Sequence, residues 1–433
     1  MRSTLSILLL MALSFQGWTQ QVPAKPQQKP IILIGGIAHL GTGDVIENSL
    51  IEFKGGKLTI VEKYSGILPD TAGKEVVNIK GKHVYPGLIA PNTVIGLTEI
   101  DLVRATHDYK EVGKINPNVR SIIAYSTDSK ITPTIRSNGI LLAQITPAGG
   151  MISGTSSIVE LDGWNWEDAV YKIDEGIHLN WPSSFIRGGW WAEPGSAKKK
   201  DNTHKIQRLA NFFNAAEHYS KSKAGKNKNL KLEAMRGLFD GSKKLFINTQ
   251  SARDIIAAVN FSKKYKISIV IVGGRDSWMV TDLLKENNIP VILRATHSLP
   301  GKQDEDVDQP YKTPYLLLQA GVEFCMGMGG KRDNGAWKQR NLPFIAGTAA
   351  AYGLKKEEAL QTITLNTAKI LGLDKTVGSI EVGKDATIII STGDILDMRT
   401  NNVVIAYIQG KTIDLNNKQK DLYRKYSNKY FSD

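Results

Sequence analysis

Apolar and polar positions along the chain follow two rhythms. Between residues 31 and 85 the apolar positions come in short runs, at 31–36, 49–53, 57–62, 75–79 and 83–85. Gly55-Gly56 separates the second and third runs, which is a hairpin signal. This stretch predicts a small β unit. From Pro86 the rhythm changes, and apolar strands alternate with helical stretches. The apolar runs 244–250, 267–274 and 290–297 start 23 residues apart. Residues 251–265 lie between the first two. Ser251 is placed as an N-cap with Asp254 three residues on, and Ile255, Ile256 and Val259 form an apolar stripe. Residues 276–288 lie between the second and third, with Val280, Leu283 and Leu284 on one side. Strand, helix and strand at this spacing make a βαβ unit, and several such units imply a parallel sheet.

A further strand is predicted over 322–328, helices over 342–352 and 356–371, and strands again over 386–391 and 403–409. Both ends are therefore β and the middle is βα. The predicted fold is α/β: a (β/α)8 TIM-type barrel with a small β-sandwich module formed by both chain ends. The divisions are 21–85 with 376–413 for the module, 86–375 for the barrel, and 414–433 for a basic tail. The middle is close to the typical barrel length of about 250 residues. A lysine-rich, mostly helical insertion at about 190–240 carries Leu209, Phe212, Phe213 and Ala216 on one face.

Residues 1–20 read as a secretory signal. Arg2 supplies the positive start, 5–15 an apolar core, and Gly17 and Thr19 the small residues before a cleavage point. The apolar run is shorter than the roughly 20 residues a spanning helix needs. The expectation is an exported chain, periplasmic or secreted, with no transmembrane anchor.

Composition narrows the chemistry. The chain has 433 residues, 41% hydrophobic and 22% charged, which is globular and not disordered. Its one cysteine, Cys325, excludes an intrachain disulfide, a four-cysteine zinc site and CxxC redox chemistry. The formal charge is +13, much of it in lysine runs at 197–200, 221–231 and from Asn416 onward. No nucleic-acid-binding module accompanies that charge. An anionic envelope surface suits it better.

Several segments resemble a known family. Residues 84–89 (VYPGLI) resemble the start of the first barrel strand of the amidohydrolase superfamily. Residues 364–372 (TLNTAKILG) resemble its last barrel helix, and 378–386 (GSIEVGKDA) its return into the β module. Residues 340–343 (RNLP) and 351–354 (AYGL) are similar to exported imidazolonepropionase-like amidohydrolases. The resemblance implies a barrel with a split β module. It also implies metal-dependent hydrolysis of carbon–nitrogen bonds in amides or cyclic amides, with zinc at the barrel mouth activating water.

The positions that the family uses for metal ligands are degenerate here. Where it has Asp-x-His-x-His, this chain has Ala90-Pro91-Asn92-Thr93-Val94. Asn248 and Gln250 stand near the fifth-strand histidine and Gly273 near the sixth, and Asp333 comes several residues late for the eighth-strand aspartate. No cofactor is therefore expected, although zinc is usual in the family. Glu99, Asp101, His107, Asp108, His178 and His297 are the residues from which a relocated site could be built. His297 with Asp276 or Asp333 is the candidate acid/base set.

Asn92, Thr93, Asn248, Gln250, Arg275, Arg294, Arg332 and Asn341 fall at or after predicted strand ends, the face on which this fold builds its sites. Amides and guanidiniums suit a small polar or anionic ligand. The glycine-rich stretch 149–154 offers backbone N–H groups, and Trp164, Trp166, Trp181, Trp190 and Trp191 offer ring surfaces. Cys325, within an apolar strand, reads as core. By resemblance the protein is a hydrolase acting on carbon–nitrogen bonds. By its ligand positions it is a catalytically inactive, metal-free binder or scaffold on the same barrel.

Overall fold

A computed structural model describes residues 22–189, 194–222, 228–302, 304–329 and 335–431. Residues 1–20, read above as a secretory signal, and Arg332, Asp333, Trp190 and Trp191 lie outside the described residues.

The first strands are β1 (Ile31–His39), β2 (Val45–Lys54), β3 (Lys57–Lys63), β4 (Glu75–Asn78) and β5 (His83–Pro86). They share one sheet with β16 (Ile388–Ser391), β17 (Val403–Ile408) and β18 (Lys411–Thr412), in the order β18-β17-β16-β5-β1-β2-β3 with β4 beside β1. Antiparallel pairing of Ile388 with Pro86 and of Ile389 with Tyr85 joins the two chain ends. Alternating apolar positions of these strands build a separate small core around Leu33, Ile51, Phe53, Ile79 and Tyr407. Phe53 meets the Tyr407 ring edge-on at 4.9 Å between centroids, a preferred aromatic geometry.

The second sheet is the barrel wall. Its strands are β6 (Leu88–Thr93), β7 (Ile140–Ile145), β8 (Ile152–Glu160), β9 (Val170–Asn180), β12 (Lys244–Thr249), β13 (Ile269–Gly273), β14 (Val291–Leu293) and β15 (Phe324–Met326). A two-stranded ribbon, β10 (Phe185–Gly189) with β11 (Pro194–Lys199), stands outside it. The wall is an eight-stranded barrel, as the alternation of strands and helices predicts, but one stave is reversed. β8 runs antiparallel to both β7 and β9. No helix lies between β7 and β8, and a parallel return needs a crossover of a dozen or more residues.

The turn between β7 and β8 contains Gly149 and Gly150, at φ +95° and +63°. A Cβ on Gly150 would come within 3.0 Å of the Lys114 carbonyl oxygen. The Met151 N–H donates to that same carbonyl at 2.6 Å. The glycines let the turn lie against residues 113–114, and this donor of the glycine-rich stretch is engaged internally.

β15 and β6 do not pair with each other. The segment between two helices fills the gap: Met326 N–H donates to Thr362 O, and Ile89 N–H to Ile363 O, both at 3.0 Å. Below it the helix Leu365–Leu371 caps the base of the barrel, where Lys244 Nζ donates to Ile370 O at 2.7 Å.

Outside the wall, the helix Ala252–Tyr265 is capped by Ser251, whose hydroxyl accepts the Asp254 N–H. Ile255, Ala258, Val259 and Phe261 are its buried face. Ile256 points to solvent instead, because the stripe turns toward Phe261. The insertion forms a helix pair, Thr203–Lys221 and Leu230–Phe239. Phe213 packs its ring 5.0 Å from Phe261 and 5.3 Å from Tyr265. The pair is thereby fixed to the barrel's outer layer.

Candidate functional site

The carboxyl ends of β6, β12, β13 and β14 deliver the residues singled out from sequence. Asn92, near the end of β6, is buried and takes a left-handed conformation at φ 51°. Asparagine tolerates that region better than most residues, and isolated backbone strain gathers at functional positions. Its N–H donates to Gln144 Oε1 at 2.9 Å, and its Oδ1 accepts from Thr146 Oγ1 at 3.3 Å. Val94 is wholly within the core. Asn248 is half-buried, with its Nδ2 at 3.5 Å from Leu179 O.

Gly273 has φ +97°, and Gln250 Nε2 lies 2.0 Å from where a Cβ would stand. The Gln250 amide therefore occupies the space that a side chain at position 273 would need. Arg275 Nε donates to Asp276 Oδ1 at 2.8 Å, while Asp276 Oδ2 accepts the Ala252 N–H at the start of a helix. A carboxylate there is favoured by the helix dipole. Lys302 Nζ stands 3.8 Å from the same Asp276 oxygen and 3.5 Å from Glu305. Arg294 follows β14 and is exposed.

The proposed acid/base set does not assemble among the described residues. His297 is exposed on the helix side, where Nε2 meets Thr348 Oγ1 at 2.6 Å. Partial desolvation of the ring holds its pKa below the ordinary imidazole value. Asp276 is committed to Arg275 and the helix start. Glu99 accepts the Lys130 N–H, and His107 Nδ1 meets the Tyr109 hydroxyl. Among the described residues no three His, Cys, Asp or Glu side chains group so as to hold a metal ion. Cys325 is buried in β15, and burial pushes its thiol up to about 12, far from a reactive thiolate.

The sequence reading missed what lies beneath the mouth. Gln144 on β7 and Glu175 on β9 meet across β8, so both project into the lumen. Gln144 Nε2 donates to Glu175 Oε1 at 2.7 Å, and Ser156 Oγ donates to the same oxygen at 2.7 Å. His178 Nε2 lies 2.9 Å from Ser156 Oγ. With the serine proton on Glu175, the histidine donates through Nε2. That leaves His178 Nδ1 and Glu175 Oε2 buried with no partner. The His178 ring stacks on Phe246 at 4.9 Å and 5°.

Burial raises the Glu175 pKa to about 7, against the bonds from Ser156 and Gln144 that lower it. Burial also lowers His178 to about 3, so its ring is neutral. Among the described residues His178 does not group with two further His, Cys, Asp or Glu side chains that could share a metal ion with it. Glu175 reaches this face because β9 bulges. Ser156 pairs with Gly176 but Ile158 pairs with Lys172, and Asp174 between them has φ 53°. The available signal was an acidic pair, Asp174-Glu175, followed by glycine inside a strand.

These positions can be tested against zinc. Zinc takes imidazole nitrogen, thiolate or carboxylate oxygen. The first-, fifth- and sixth-strand positions offer two neutral amides, an alkyl side chain and a glycine overlain by a third amide. This donor set does not fit the ion.

Residues 313–413 match the amidohydrolase family. The imidazolonepropionase of Symbiobacterium thermophilum is 32% identical over 93 residues, 21% of this chain and 21% of that protein. An adenine deaminase of Clostridium botulinum is 20% identical over 395 residues, 87% of this chain and 56% of that protein. The chain thus spans little more than half of the longer-matching of these two curated relatives. The crystal structure of an amidohydrolase from Thermotoga maritima superposes with a TM-score of 0.75 at 21% identity, covering 89% of this chain and 99% of that one. The barrel and the chain-end sheet are thus those of a solved amidohydrolase structure, and the carboxyl-terminal quarter of the chain is similar to the amidohydrolase family.

Proposed function

We propose that the barrel mouth binds a small polar molecule bearing a carboxylate or amide, the ligand class of its superfamily, without zinc-activated hydrolysis. The observation that carries this reading is the Gln250 amide lying over Gly273, where the family places a metal ligand. Asn92, Asn248 and Gln250 offer amides at or just after the ends of β6 and β12, and Arg275 and Arg294 follow the ends of β13 and β14. That set recognises oxygen-rich anions by hydrogen bonding and charge. The basic balance and the apolar segment at 5–15 support an exported protein meeting its ligand outside the cytoplasm.

Carbon–nitrogen hydrolysis is the second reading. The buried Glu175, with its pKa near 7, favours it, because a proton-transfer group works best near ambient pH.

Metal analysis and calorimetry of the purified chain from residue 21 separate the two. Binding of N-acetylaspartate or hydantoin without stoichiometric metal, weakened at least tenfold in Asn248→Ala, supports the binder. Stoichiometric zinc with chelator-sensitive cleavage of either compound establishes the hydrolase instead.

A further inference from the structure

The last helix, Lys418–Phe431, is attached to the body only near its start. There Gln419 Oε1 accepts from Thr134 Oγ1 at 2.9 Å, and the preceding Asn417 Nδ2 donates to Ser137 Oγ at 3.0 Å. From Asp421 to Tyr430 the helix is exposed, apart from a half-covered Ser427. A 14-residue helix in water is marginal by itself, and protein helices draw most of their stability from packing one face. This helix has such a face, and it is uncovered. Tyr423, Tyr426 and Tyr430 lie at i, i+3 and i+7 and are 75%, 51% and 69% exposed, with Leu422 beside them. Lys418, Lys420, Arg424, Lys425 and Lys429 surround the stripe, against one acidic residue, Asp421.

We propose that this helix lies on an anionic phospholipid surface, with the tyrosine stripe at headgroup depth and the lysines on the lipid phosphates. Three physical points favour that occupant. Tyrosine in a dry protein groove needs a hydrogen-bond partner for its hydroxyl, whereas at a membrane interface the ring is buried and the hydroxyl stays wet. Cations around an amphipathic helix are drawn to anionic headgroups, and the whole chain carries +13. A second copy would bring the same positive charge against itself. No helix among the described residues is long and apolar enough to cross a membrane, so the contact is superficial.

Co-sedimentation of the chain from residue 21 with vesicles tests this. Binding to phosphatidylcholine vesicles containing phosphatidylglycerol is expected, with little binding to pure phosphatidylcholine and release by high salt. Lys425→Ala and Lys429→Ala each weaken it about fivefold. Tyr423→Ser/Tyr426→Ser/Tyr430→Ser abolishes it, with the thermal midpoint of the barrel unchanged because the exposed turns contact little of the body. Three results overturn the proposal. One is equal binding to neutral vesicles. Another is no vesicle binding by a folded chain. The third is light scattering that shows a dimer lost in the triple tyrosine variant.

Discussion

The two halves of the barrel wall are built differently. From β12 to β15 the strands are parallel and pair without a single register shift. Apart from Asn248, their side chains are chiefly isoleucine, valine, leucine and phenylalanine. From β6 to β9 one strand is reversed and the register breaks repeatedly. Two non-glycine residues there, Asn92 and Asp174, take positive φ, and a buried chain of polar groups runs from Asn92 through Gln144 and Glu175 to Ser156 and His178. Regular apolar staves need no such devices. Their concentration in one half sets it apart as the half whose interior is polar and irregular.

Substitutions can break or sharpen this contrast. In the regular half, Phe324→Ala removes a fully buried ring and is expected to destabilise by about 3–5 kcal/mol, equally at pH 5 and pH 8 in urea titrations.

In the irregular half, Glu175→Gln acts through pH. The folded pKa is raised from 4.5 to about 7, so between those values the folded state binds more protons than the unfolded chain. The Glu175 contribution to stability therefore declines as pH rises through that window, by about 3 kcal/mol, against the opposite slope from the lowered His178. The readout is the difference between wild type and the glutamine variant, which changes by that amount across the same range. A difference that stays constant with pH would show that the carboxyl is not the titrating group.

Gly273→Ala forces a Cβ at φ +97° and onto Gln250, for a loss of about 1–3 kcal/mol. In a double-mutant cycle Gln250→Ala restores the part due to the clash and leaves the part due to backbone strain.

The smallest effect belongs to Ser156→Ala. It removes the hydroxyl's bonds to Glu175 and His178, about 1 kcal/mol net, and moves the Glu175 titration upward because the first of them favours the ionised form. Carbon-detected NMR of the carboxyl reads the shift.

Legibility from sequence follows the same division. The spacing of 244, 267 and 290 and the Ser251 cap gave away β12 to β14 and the helix between the first two, because regular βαβ units leave a regular imprint. The reversal of β8 was hidden. Its sequence, ISGTSSIVE, is half hydroxyl and glycine residues and reads as a loop. Its hydroxyls can be buried because each finds a partner: Ser153 on Gly149 O, Thr155 on Pro117 O, Ser156 on Glu175, and Ser157 with the Asp174 N–H. At the mouth, the amides and the glycine that stand where the resemblance implies metal ligands are legible residue by residue. That Gln250 fills the space above Gly273 is not, since the two are distant in sequence and meet only across paired strands. Glu175 was passed over because a bulge, which shifts side chains between faces, cannot be placed from alternation alone.

The seam at Thr362 and Ile363 has a mechanical consequence. Every other joint in the wall is a ladder of strand pairs, whereas this one rests on one backbone hydrogen bond to each neighbouring strand and the Asn366 amide on Phe324 O. A closed hoop with one light fastening loosens there first. The amides of Met326 and Ile89 then become the earliest wall positions to meet deuterium, and the interior is reached from the side without lifting the loops at its top.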